Sequence, residues 1–427
     1  MKNCFRGLAL LLAVVVMMTM GGMAALAEEQ VTLTFWCSYN DADENDTTGA
    51  TMIKDSVAKF EETHPNVKID VINTADGDDY LTKVTAELSA GKAPDLFRTW
   101  LNGRLEPFVK GGYVLPLNDL VAGSEVLSSH VSDASKGYSS YGDDTFYAIP
   151  MIASAEIIYY NKAIFEECDV SVPTTLAEFY TVCDTLQEKG YTPIAMGAAD
   201  AWFSAIPFMT IFQRMDDSDA VYNAVCVSKE TKFDDELFVK ASEEYMKIAK
   251  YFNSNATSAS TGEAEALFQN GEAAMIFDGT WSTAGMANAL GEKVGCFNLP
   301  GEDGPSTEFL MNYDEGYSIG ANTQHPDLCI EFYEILFGQE MQAFYAEAGN
   351  LIACQNIDYD TSKVPAITNE VAALLATAET TNIPWDNPLG TNMGTEFNMT
   401  VQSLLGGADA AQAFATLNDT AAFEWGY

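Results

Sequence analysis

Apolar and polar residues alternate through Val31–Trp36 (VTLTFW), a period of two that predicts a β-strand with one face buried. After a polar stretch, Met52, Ile53, Val57 and Phe60 recur at helical spacing. That period ends at His64-Pro65, because a proline pushes the residue before it out of the helical region. VKIDVI (67–72) reads as a second strand. Tyr80, Leu81, Val84 and Leu88 mark a second helix closed by Gly91, and PDLF (94–97) opens a third strand. Strand–helix–strand–helix–strand implies an α/β chain built on a mostly parallel sheet with right-handed crossovers. Beyond a turn-rich stretch at 124–144, TFYAIPM and AEIIYYN predict extended segments. PTTLAEFYTVCDTLQEKG predicts a helix with a threonine cap and a glycine stop. Further helices are predicted in DELFVKASEEYMKIAKYF, HPDLCIEFYEILF, VAALLATAE and AAQAFATLN. Neither an internal repeat nor a low-complexity linker interrupts the pattern.

The first 27 residues follow a different logic. Lys2 and Arg6 precede an apolar run from Leu8 to Met20, and Ala25-Leu26-Ala27 follows as a small-x-small site, which together predict a cleaved secretory signal peptide. No later run reaches the length of a membrane span. Cys4 precedes the apolar run and no LxxC box precedes Cys37, so no lipid-bearing cysteine is expected; export to the periplasm, cell-wall space or medium is. Residues 28–427 exceed what one core usually holds, which predicts two lobes.

Charge and composition narrow the partners. Asp and Glu number 62 against 21 Lys and Arg, a net charge of −41, which repels nucleic acid and anionic lipid. Cysteines 37, 168, 183, 226, 296, 329 and 354 form no CxxC spacing; being odd in number, they leave at least one thiol free or paired between chains. His64, His130 and His325 are scattered, so neither a His-rich metal site nor a catalytic triad is signalled. No cofactor, metal or catalytic residue is expected.

The tryptophans supply the positive signal. Ligands of open α/β sheets bind beyond the carboxyl ends of the strands. Trp36 ends the first strand, Trp100 lies just past PDLF, and Trp281 lies just past AAMIF in NGEAAMIFDGTWS. Trp202 and Phe203 (AADAWF) and Trp385 (NIPWDNP) fall in predicted loops. Indole faces flanked by carboxylates and amides suit a sugar, whose C–H face needs a flat apolar cover and whose hydroxyls need fixed partners. Asp278 beside Trp281, Tyr39 and Asn40 after Trp36, and Asn102 and Arg104 after Trp100 offer that combination. The competing reading, large core residues, is even for any one ring and weaker for three at strand ends.

LTFW, FEETHPNVKIDV, AGKAPDLF, FYAIP, IIYYNKAIFEECDVSVPTTLAEF, YTPIAMG, ALFQNGEAAMIFDGTWS and FNLPG, in that order, resemble the family-1 extracellular solute-binding proteins of bacterial ABC importers, carbohydrate type. The resemblance implies a two-lobed type II periplasmic-binding-protein fold with a multi-strand hinge and an interlobe cleft. It also implies non-enzymatic capture of a carbohydrate ligand by a monomer, and delivery to ABC transporter permease subunits. It places hinge crossings near Asp144, Asp278–Ser282 and Gly320–Asn322, giving lobes of 28–144 plus 282–321 and 145–281 plus 322–427. Trp36, Tyr39, Asn40 and Trp100 would line the first lobe; Ser154 or Glu156, Trp202 or Phe203, and Trp281 would line the second. Tyr313, Asp314 and Glu315 fall where a Gly-rich turn is usual, and Trp385 resembles a late cleft aromatic. Gly279 would free the backbone to turn, and Ser282 would cap a helix returning through the first lobe. Leu176 stands where the family carries tryptophan, and the missing lipobox is a second departure. Two other functions compete: the same fold binding a polyamine or other cationic solute, and a secreted glycoside hydrolase using an acid pair. Iron capture by Tyr159 and Tyr160 is disfavoured, since adjacent strand residues face opposite ways.

Overall fold

The computed structural model describes residues 30–39, 48–74, 77–142 and 144–427; the predicted leader and Asn40 lie outside them. β1 (Val31–Cys37), β2 (Val67–Asn73) and β3 (Leu96–Trp100) form where the pattern placed them and run parallel, β1 in the middle. The helix Thr48–Thr63 links the first two; its apolar stripe buries Met52, Ile53 and Phe60, and it stops just before His64. The short hairpin of β4 (Ser140–Tyr141) and β5 (Thr145–Phe146) leads into β6 (Ile149–Pro150). Seven strands follow: β7 (Ala153–Asn161), β8 (Thr192–Ala195), β9 (Ala273–Gly279), β10 (Val294–Phe297), β11 (Glu308–Tyr313), β12 (Glu315–Ile319) and β13 (Thr380–Asn382).

Two sheets result. The first has the order β2-β1-β3-β12-β6, the second β13-β11-β7-β9-β8, with β10 also paired to β7. The expected parallel arrangement holds for β1–β3, but β12 is antiparallel to β3 and β6, and β7 is antiparallel to β9, β10 and β11. Each sheet carries its own core. Phe35, Phe60, Tyr317 and Phe332 anchor the first lobe, with a satellite around Tyr80 and Phe97; Ile157, Phe208, Met275 and Trp385 belong to the second.

Strand pairing corrects the expected lobe boundaries. β10 and β11, expected in the first lobe, pair with β7 in the second. The helices Pro326–Leu336 and Gln339–Glu347, expected in the second, pack on Thr48–Thr63 in the first, where Phe332 meets Phe60 at 5.8 Å. The helix Thr283–Leu290 stays with the second lobe, against Ala366–Leu375 and β10. Ser282 is no side-chain cap for it; its Oγ donates to Glu265 Oε1 at 3.2 Å.

The lobes are joined at three crossings: Met151–Ile152, Asp314, and the stretch between Lys363 and Ala366. Lys363 still pairs with Glu347 of the first lobe, whereas Ile367 lies in the second core. The first two crossings are tied by Met151 N donating to Glu315 O (2.9 Å), and the first is also paired with residues 351–353 through Ala153 N to Leu351 O (2.8 Å) and Ala353 N to Met151 O (3.0 Å). Among the described residues no helix is long and apolar enough to cross a membrane. Cys168, Cys183, Cys226, Cys296, Cys329 and Cys354 carry free thiols, all buried except half-buried Cys296.

Candidate functional site

Register brings the chemistry of both sheets to one edge. Glu315, at the start of β12, lies opposite Trp100 at the end of β3. In the second sheet Glu156, near the start of β7, lies opposite Gly279 at the end of β9, and Ser154 lies opposite Asn312 at the end of β11. Because β12 follows β11 after the single residue Asp314, these strand ends meet at the junction of the lobes.

Trp281 stands there. It packs against the core clusters of both lobes and meets Trp202 edge-on at 6.0 Å. Its position depends on Gly279, though not through the expected backbone freedom: Gly279 is extended (φ −97°), and a Cβ there would come within 2.2 Å of the indole. The glycine is a floor for the ring. Thr280 fixes the turn by accepting Ala155 N–H at 3.0 Å.

Around these rings lie carboxylates taken out of water. Glu156 is 5% exposed, and its Oε2 has no hydrogen-bond partner. Burial raises its pKa well above the carboxylate range, and the charges of Asp386, Asp314 and Asp278 raise it further. Asp278 is fully buried; Oδ1 accepts Gly279 N–H at 2.7 Å and Oδ2 has no partner. Burial pushes its pKa to about 7, opposed by the Gly279 N–H and the side chains of Ser282, Glu265 and Trp281. Half-buried Asp314 is pushed to about 6 by burial, with Arg104 opposing the rise.

Basic partners exist for two other acids. Arg98 forms a buried ion pair with Glu315, and Arg104 Nη2 donates to Asp386 Oδ2 at 2.7 Å. The second pair crosses the lobes, as does Asn102 Nδ2 donating to Asn312 Oδ1 at 2.8 Å. Asn102 adopts the left-handed conformation (φ 55°), which an asparagine tolerates. Asp386 also accepts from Asn398 Nδ2 at 3.0 Å. Sequence reasoning missed Arg98, Asn312 and Asp386. The signal was a charge or amide one or two positions from a chosen aromatic: Arg98 before Trp100, Asn312 before Tyr313, Asp386 after Trp385.

The remaining candidates divide. Ser154 Oγ donates to Asn312 O at 3.4 Å within the junction. Tyr313 packs T-shaped on Tyr138 at 5.0 Å and joins the satellite core of the first lobe. Trp36 and Trp100 are half-buried against that same cluster, and the Arg98 guanidinium sits 4.7 Å from the centre of the Trp100 ring, covering a face. Tyr39 lies over Gly49, its hydroxyl hydrogen-bonded to Tyr317; burial first, then Glu315, raises its pKa. Phe203 and Trp385 are core residues rather than cleft aromatics. Phe203 is wholly buried, and Trp385, 2% exposed, stacks on Phe397 at 5.6 Å among Phe212, Tyr222 and Phe238. Concavities of about 670 Å³ near Asn118–Phe146 and about 340 Å³ behind the crossings are lined by none of the tryptophans. Among the described residues no three His, Cys, Asp or Glu side chains are grouped as metal ligands.

Comparison with known proteins adds a lineage to this geometry. The model of the bacterial extracellular solute-binding protein family matches residues 43–343. An ABC transporter extracellular-binding protein of Pyrococcus horikoshii is 28% identical over 235 residues, 52% of this chain and only 51% of the relative. The multiple sugar-binding protein of Streptococcus mutans is 23% identical over 346 residues, 78% of this chain and 77% of that one. A solved structure from work on xylan utilization by the thermophile Caldanaerobius polysaccharolyticus superposes with a TM-score of 0.83 at 25% identity, covering 91% of this chain and all of that one.

Proposed function

The chain belongs to the bacterial extracellular solute-binding proteins, and from that premise we propose that it captures a carbohydrate between its lobes and presents it to the membrane permease of an ABC importer. The observation that carries this reading is Trp281: one indole in contact with both lobe cores, beside a second indole and a set of incompletely satisfied acceptors. A flat apolar face next to acceptors is what a sugar ring, apolar on its C–H side and rimmed with hydroxyl donors, requires. The sugar-related relatives agree with it.

Trp281 and Trp202 cover the guest, Glu156, Asp278 and Asp314 accept from it, and Arg104–Asp386 with Asn102–Asn312 latch the lobes over it. A guest touching both lobes binds the shut form better than the open one, which is the differential affinity that shifts the population. Micromolar capture needs about 8 kcal/mol, within reach of two aromatic faces and several charge-assisted hydrogen bonds after ordering costs. The protein acts as an exported monomer and performs no chemistry on its guest.

Thermal-shift screening against a panel of mono- and oligosaccharides, followed by calorimetry on the hits, tests the proposal. Trp281→Ala is expected to weaken the best ligand by at least about tenfold, from the loss of a stacked ring, while the protein stays folded. Undiminished affinity in that variant, or release of reducing ends from the oligosaccharides, would count against it.

A further inference from the structure

Resting on the carbohydrate reading, we infer that the guest carries a cationic nitrogen: an amino sugar or an oligosaccharide containing one, its ammonium held by Glu156 beside Asp314 and Asp386. Charge balance at the junction is the first argument. Glu315 is matched by Arg98 and Asp386 by Arg104, whereas Glu156, Asp278 and Asp314 have no basic side chain in hydrogen-bond contact. Glu156, withdrawn from water without a counter-charge, is costly to keep ionised, and one ammonium beside it relieves that cost.

The second argument concerns hydrogen-bond polarity. The buried side-chain oxygens left without partners on this side of the junction include Glu156 Oε2, Asn387 Oδ1 and, on the residue that donates to Asp386, Asn398 Oδ1. All are acceptors. An ammonium supplies three donors and no acceptor, so it matches such a set, whereas each hydroxyl of a neutral sugar also brings lone pairs that find no donor among them. A bare divalent ion is a poorer match, because the carboxylates are not grouped as ligands. A linear polyamine satisfies the charge but has no ring face for Trp281 and Trp202.

Linear glucosamine oligosaccharides, their N-acetylated counterparts, the corresponding glucose oligosaccharides and spermidine are titrated by calorimetry into the wild-type protein and into Glu156→Gln. The expected result is tighter binding of the free amine than of the acetylated or hydroxyl form by about tenfold or more, the scale of one charge-assisted contact. That preference should fall to about twofold or less in the variant. Equal or tighter binding of the neutral sugars to wild type overturns the inference and leaves the carbohydrate reading standing. Spermidine binding without sugar binding, or no response to any probe, overturns both. The wild-type comparison decides the matter even should Glu156→Gln fail to fold.

Discussion

Trp385 and Asp386 are adjacent in sequence and have opposite roles. Trp385 is stacked in the second-lobe core, and Asp386 holds Arg104 across the junction. Trp385→Ala is therefore expected to cost about 3–5 kcal/mol in denaturant unfolding, as truncation of a fully packed aromatic does, without a specific effect on ligand affinity in the protein that remains folded. Asp278 and Asp314 make a pH prediction. Each has a folded pKa above its ordinary value of 3.8, about 7 and about 6 respectively, so the folded state binds more protons than the unfolded chain. The stability they contribute is fully present below about pH 4 and is lost as pH rises through 6 and 7. The melting temperature of the ligand-free protein should fall across that window, and Asp278→Asn should flatten the upper part of the slope. An unchanged profile in that variant would place the sensitivity elsewhere. At this scale the sequence was legible in position, as with Trp281, which follows its strand at the lobe junction. It was illegible where tryptophan serves a core as readily as a cleft: only packing separates Trp385 from Trp281.

Elements were read well where the apolar period was clean. The helix Leu176–Glu188 has the expected cap, Thr175 Oγ1 accepting Glu178 N–H at 3.2 Å. Of the helices that escaped, the two longest show why. Ala201–Gln213 is buried on nearly every side and carries Pro207, so it has neither an amphipathic stripe nor an uninterrupted former-rich sequence. Asp386–Leu405 contains Pro388 and a kink at Gly390 (φ 82°), which read as loop punctuation. That kinked start receives the segment Asn102–Arg104, where a Cβ on Gly103 would lie 2.7 Å from the carbonyls of Asn387 and Pro388. Both obstacles are backbone and cannot swing away. Gly103→Ala should part the two elements and weaken ligand binding while leaving each lobe folded; calorimetry paired with solution scattering in the presence of ligand would show lower affinity and a larger radius than wild type.

For the whole molecule, the two-lobed α/β plan was legible from length and element order, but the lobe boundaries were not. Which sheet a strand joins depends on pairings between residues far apart in sequence: Glu308–Tyr313 and Glu315–Ile319 are separated by one residue and belong to different sheets. No local pattern encodes that exchange. Because the guest is proposed to bind only the folded, shut form, saturating ligand should raise unfolding free energy by about 2.7 kcal/mol at a hundred times its Kd. A melting temperature that does not respond to ligand concentration would argue against such linkage.

The hydrogen bonds that tie the first two crossings to each other, and the first to residues 351–353, have a mechanical consequence. Parallel tethers fixed side by side yield readily to bending out of their common plane but resist torsion, so relative travel of the halves is confined to nearly one coordinate. A pair of fluorophores, one on each half, should then report occupancy through a single smoothly changing transfer efficiency, whichever guest is bound.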